Sequence, residues 1–265
     1  MNQKGATMLP RRLRISPYSV VTVIGFLLLW QILVSLRLVN PFFLPSPLSV
    51  GRTLIETMGS GELLFHGGVT LGRIFHGFFW GGLAGLCLGI PAGWSKKIYE
   101  AINPFVAATY PLPKVALLPL IIVYLGIGEM SRLVIIAMAV FYVVLINTIA
   151  GVRNVDPILV MAAQDLGAKT MQIFKKVILP GALPMIFAGI RLGMGIAFLS
   201  TVVTEMIFGD KGLGYFLGVR GNMMDMTGIF AGLTLLGGLS ILVTTCMEWV
   251  SRKTMPWSRD IQGLR

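Results

Sequence analysis

Charge is what this sequence has least of. Only 12% of its 265 residues are Asp, Glu, Lys or Arg, where an ordinary soluble domain carries about a quarter. A water-soluble globule is therefore excluded. Acidic residues are scarcer still, 11 against 22 Lys and Arg. The resulting net charge of +11 could suit a phosphate backbone, but the basic residues lie between apolar runs rather than clustered on one face. No nucleic-acid partner is expected. The two histidines, His66 and His76, are ten apart with no carboxylate–histidine spacing around them, so no metal site is expected. The two cysteines, Cys87 and Cys246, lie in separate apolar runs; they support neither a disulfide framework nor a zinc site and are expected to be small buried thiols. There is no G-x-x-x-x-G-K-[ST] loop, since "GAKT" at Gly167 to Thr170 lacks the order and the upstream glycine, and no G-x-S-x-G elbow. Without groups to move protons or attack a bond, the chain is expected to move something without converting it. It is not read as an enzyme.

Long apolar runs dominate what is present. A bilayer core takes roughly 20 apolar residues per helix. Six segments qualify, at about 19–36, 72–93, 106–127, 133–151, 186–207 and 228–250. The fold expected is all-α and polytopic, with a basic segment over 1–18, a transmembrane region over 19–251 and a tail over 252–265. The first run follows "RRLR" without a convincing small-residue cleavage site and is read as a retained span. The third is interrupted by Pro111, Pro113, Lys114 and Pro119; such breaks persist at membrane depth only inside protein or beside a wet cavity. Fifteen of the 22 basic residues, Lys114 among them, fall on the side of the termini and six on the other, with Arg191 near the start of span five. The positive-inside rule then puts both termini in the cytoplasm.

Two features bear on packing and chemistry. Gly77, Gly81, Gly85, Gly89 and Gly93 recur at every fourth position of span two, one narrow stripe on which another backbone can approach closely. The partner is either another span of this chain or a second copy. Glu205, near the outer end of span five with Ser200, Thr201 and Thr204 beside it, is an ionisable group at membrane depth. It lines a polar translocation pathway, holds a neighbouring helix by a hydrogen bond, or reaches water at the interface. Arg73, His76 and Glu248 are read as interface anchors.

Between spans four and five lies a charged segment of about 156–184, "MAAQDLGAKTMQIFKKVILPGALP" from Met161 onward. Asp156 suits an N-cap, Pro157 the first helical position and Gly167 a C-terminal stop. Thr170 is expected to cap a second short helix ended by Pro180 and Gly181, with Pro184 beginning span five. Ile158, Leu159, Ala162, Ala163 and Leu166 form a small-to-apolar face. It fits a groove on another protein or lies flat on the membrane surface.

The same segment resembles the E-A-A signature of bacterial ABC importer permeases at Ala162, Ala163, Gly167 and Ile178–Pro180, with Met161 in place of the glutamate. "NPFFLPSP", "YPLPKVALLPLIIVYLGIGEMSR", "VILPGALPMIFAGIRLGMG", "TEMIFGDKGLGYF" and the closing "MPW" resemble the nitrate, sulfonate, taurine and bicarbonate branch. That resemblance implies a cytoplasmic coupling helix that carries Met161, Ala162, Ala163, Gln164, Asp165, Gly167 and Ala168 and docks on an ATPase subunit. It implies a second permease copy, an extracytoplasmic binding protein that delivers a small anion, a place in the bacterial inner membrane, and ATP and Mg bound by the ATPase, with no cofactor in this chain. A stand-alone secondary transporter or channel is the alternative; it predicts paired intramembrane charges and an inverted repeat, which the sequence does not display.

Overall fold

A computed structural model describes residues 17–255. The basic segment before residue 17, and the tail with its "PW" from residue 256, lie outside the described residues. The described chain is all-α. In order it forms α1 (Pro17–Ser35), α2 (Pro47–Gly59), α3 (Glu62–Trp94), α4 (Lys96–Thr109), α5 (Leu118–Leu125), α6 (Glu129–Arg153), α7 (Pro157–Asp165), α8 (Thr170–Ile173), α9 (Leu179–Phe208), α10 (Leu213–Asn222) and α11 (Met226–Thr254). Five helical runs are long and apolar enough to cross a membrane, and α4 with residues 114–125 forms a sixth, bent by 84°.

The core is a mutually packed trio of α3, α6 and α9, built on small residues. A Cβ at Gly77, Gly81, Gly85, Gly89 or Gly93 would run into Ile136, Ala137, Phe141 and Val144, Thr148 or Val152, respectively. All five glycines thus face α6 of the same chain, and the rising numbers on both sides make α3 and α6 parallel. On a neighbouring face of α6, with Val144 shared between the two, Gly189 meets Asn147, Gly193 meets Val144 and Val140, and Gly151 meets Ala182 and Met185. Those pairs run in opposite directions, so α9 is antiparallel to α6. Lipid offers no hydrophobic drive between helices, so close backbone approach supplies the attraction. α1 stands apart and buries only Val34.

Five sequence expectations need correction. Span three is not a single helix over 106–127. Pro111 and Pro113 cannot donate to a helix, so α4 stops at Thr109 and a 3₁₀ turn, Lys114–Leu117, leads into α5. Lys114 sits at this break rather than on the cytoplasmic side. Its ammonium donates to the carbonyls of Thr109, Tyr110 and Leu112 at 2.6, 3.1 and 2.9 Å and lies 4.2 Å from the centre of the Tyr142 ring. Pro180 and Pro184 neither stop a short helix nor begin a span, because the helix runs unbroken from Thr170 to Phe208. A π-helical turn, Phe174–Ile178, precedes Pro180, which then falls in the first turn of α9, where a missing N–H costs little. Thr170 is the first residue of α8, not its cap; the Lys169 N–H donates to the Gln172 side chain at 2.8 Å. Finally, Cys87 and Cys246 are exposed on the outer faces of α3 and α11 rather than buried.

Candidate functional site

Two constructions sit at opposite ends of α6 and α9. The first follows α6. Asp156 accepts from the Ile158 N–H at 2.8 Å and starts α7. The helix ends in a Schellman motif: the Ala168 N–H donates to the Ala163 carbonyl at 3.0 Å and the Gly167 N–H to Gln164 at 2.8 Å. That geometry requires a left-handed residue, and Gly167 has φ +76°. The spacing from Ala163 to Gly167 is therefore the spacing of a helix stop. It leaves Ile158, Leu159, Met161, Ala162 and Leu166 exposed, Leu166 by 88%, with Ala163 and Ala168 half-buried. Gln164 and Asp165 are exposed on the same short helix. Met161 lines an open cleft of about 360 Å³ with Trp94, Arg153 and Ile178. Behind it, Trp94 at the end of α3 stacks on Phe174 in the π turn, with ring centres 4.5 Å apart.

The second construction lies where α3 and α6 begin and α9 ends. Arg73 and Glu205, 3% and 0% exposed, pair at 2.8 Å. Arg73 also holds Glu129 through Nε at 2.7 Å and the Lys211 carbonyl at 2.7 Å. Arg132 donates to the Phe208 carbonyl at 2.6 Å and lies 3.3 Å from both Glu129 and Asp210. Lys211 stands 3.8 Å from Glu129. Three cations meet three carboxylates, so the cluster is neutral. Glu205 also serves α10, whose first N–H groups would otherwise be orphans. The Gly214 N–H donates to Glu205 at 2.9 Å, Leu213 to Thr70 at 2.7 Å and Gly212 to His66 Nδ1 at 2.9 Å, and Thr70 in turn donates to Glu205 at 2.9 Å. A carboxylate at a helix N-terminus is favoured by the helix dipole as well. Gly212, at φ +109°, and Gly214 leave the room: a Cβ on Gly212 would strike the Glu205 carboxylate, and one on Gly214 the Val202 carbonyl.

The burial of Glu205 rules out the reading of it as an interface carboxylate reaching water. Ser200, Thr201 and Thr204 are likewise buried. The face of α9 that the chain leaves open is a different one. Arg73 is no interface anchor but the centre of the cluster, whereas His76 is exposed. Glu248 is not an end anchor either. It faces Arg191 across α9 and α11 at 3.6 Å. Paired intramembrane charges are thus present after all. Sequence reasoning missed Thr70, Glu129, Arg132, Asp210 and Lys211, although "GEMSR" and "GDKG" hold four of them; only the antiparallel return of α9 brings these blocks together. Among the described residues no group of His, Cys, Asp and Glu could hold a metal ion.

Comparison with known proteins supplies the context. The family model described as binding-protein-dependent transport system inner membrane component matches residues 82–256. The taurine transport system permease protein of Escherichia coli K12 is 32% identical over 249 residues, 92% of this chain and 90% of that protein. A putative aliphatic sulfonates transport permease protein of Bacillus subtilis strain 168 is 35% identical over 235 residues, 89% of this chain and 85% of its own length. In fold, the chain is similar to an inward-facing MetNI methionine ABC transporter, with a TM-score of 0.60 at 23% identity, covering 69% of this chain and 92% of that one. An amino acid ABC transporter gives 0.58 at 17% identity over 77% of this chain and 97% of its own. An ATPase is a separate subunit in such systems, and the apolar helices here carry the membrane-spanning part. This chain belongs to the binding-protein-dependent transport system inner membrane component family, and it is a multi-pass membrane permease subunit of an ABC importer, not an enzyme.

Proposed function

We propose that the chain pairs with a second copy, docks on cytoplasmic ATPase subunits through α7, and imports a small anion delivered by an extracytoplasmic binding protein, an organic sulfonate being the first choice. The exposed apolar face of α7 carries the docking assignment. A nine-residue helix fixed at both ends, with Ile158, Leu159 and Leu166 open to solvent, fits a groove on a partner. The α7 end is then cytoplasmic, as are both termini. The excess of basic residues on that side supports this orientation, and moving Lys114 to mid-membrane leaves the bias standing. ATP and Mg belong to the partner. Closure of the ATPase pair would move α7, and the Trp94–Phe174 stack would pass that movement to α3 and α9. The sulfonate choice rests on the relatives named for taurine and aliphatic sulfonates.

The test is assembly. Ala163→Arg or Gly167→Asp is expected to abolish co-purification with the ATPase while the permease still inserts in the membrane. Retained assembly and full uptake in both variants would sink the docking assignment.

A further inference from the structure

Arg191 stands at a depth where an arginine is costly. On α9 it lies between Gly189, packed on Asn147, and Gly193, packed on Val144 and Val140. At 1.5 Å per residue its level on α6 is about 11 Å from Arg153 at one end and about 20 Å from Arg132 at the other. Glu248 reaches the same level, because its carboxylate lies 3.6 Å from Arg191 and its neighbour Met247 packs against the core cluster that holds Val140, Val144 and Met194. Nevertheless the Arg191 side chain is 48% exposed. It points away from α6, on a stripe with Ala188, Gly195 and Leu199 that the chain leaves uncovered. An ionised group at this depth faces protein or a watery cavity rather than lipid.

Its donors are also uncommitted. Among the described residues Arg191 makes no hydrogen bond and has one partner, Glu248 at 3.6 Å. Arg73 and Arg132, by contrast, are tied by short bonds to carboxylates and carbonyls. Lys114, the other mid-depth cation, has all three ammonium donors on backbone carbonyls. Glu248 stands equally far, 3.6 Å, from Arg252, so it has a second cation to turn to. A guanidinium offers a rigid fork of N–H groups that matches two oxygens of one oxyanion.

We propose that Arg191 lines the translocation pathway between two copies of the chain and binds the sulfonate group of the passing solute, displacing Glu248. This rests on the sulfonate-import reading above. The experiment uses the permease assembled with its ATPase and binding protein in proteoliposomes, with labelled taurine and ethanesulfonate as probes. Arg191→Gln is expected to lower uptake about tenfold or more while binding-protein-stimulated ATP hydrolysis stays within about twofold, and Arg191→Lys to recover part of the uptake. Uptake by Arg191→Gln within about twofold of the parent would overturn the proposal. So would restored uptake in Arg191→Gln/Glu248→Gln, which would reduce Arg191 to a counter-ion for Glu248. A second arm covers failed assembly of the glutamine variant. In a Cys87→Ala/Cys246→Ala background, the Arg191→Cys thiol is expected to react with a water-soluble aminoethyl thiosulfonate, which returns a positive charge and revives uptake. A thiol that resists the reagent overturns the pathway placement. A parent complex that carries neither probe defeats the sulfonate reading instead, and the thiol still reports whether position 191 faces water.

Discussion

The two ends of the α6–α9 pair are finished in opposite ways. At one end Arg73, Arg132 and Lys211 neutralise Glu129, Glu205 and Asp210, and the first N–H groups of α10 find acceptors within the chain. Among the described residues the other end has no ion pair within α7, and its apolar side chains are exposed. A cluster centred on a buried ion pair, Arg73 with Glu205, tolerates little displacement, because each partner depends on the geometry of the rest. A short capped helix with an open apolar face is incomplete until something covers it. The chain therefore locks one end with its own side chains and leaves the apolar face of α7 open at the other.

The sharpest way to break this contrast is to unlock the locked end. Arg73→Met leaves Glu205 and Glu129 without their central cation, and losing one partner of a buried pair costs about 3–5 kcal/mol. The variant is expected to insert poorly and to aggregate at a much lower temperature in detergent. An unchanged aggregation temperature would show that the cluster is not what holds α10 and the end of α9. An equally drastic charge change on α7, Ala163→Arg, should leave that temperature nearly alone.

Between the two ends lies the glycine stripe. Gly81→Ala would drive a Cβ into the Ala137 backbone, so α3 and α6 must part. The expected loss is about 1–3 kcal/mol, the usual range for overpacking. Gly195→Ala meets nothing within 4 Å and serves as the control, with little change in melting. If both alanines melt alike, the α3–α6 approach is not the close one described.

The stripe also shows what a sequence can carry. A repeat of four residues is local, so its single face was legible, and so were the apolar spans, the N-cap at Asp156 and the stop at Gly167. The ionic cluster was not, because its members lie up to 138 residues apart, as Arg73 and Lys211 do. Their meeting depends on α9 returning antiparallel to α6. Proline misled in both directions: Pro111 and Pro113 broke a span more sharply than expected, while Pro180 and Pro184 did not break one at all. In the second case Pro180 falls in the first turn of α9, just after the π turn, where a missing N–H costs little, and α9 runs on through Pro184.

The smallest effect expected separates packing from passage on α9 itself. Thr201 is fully buried, and its hydroxyl has no hydrogen-bond partner among the described residues. Valine has nearly the same shape, and replacing an unpaired buried hydroxyl by a methyl leaves no partner stranded. Thr201→Val is therefore expected to shift stability by less than about 1 kcal/mol, in the stabilising direction, with uptake kept. Were the inner face of α9 to become the pathway during transport, this hydroxyl would meet the solute and its removal would lower uptake without lowering stability. Uptake measured beside melting on this one variant, against Arg191→Gln on the open face, decides which side of α9 the solute passes.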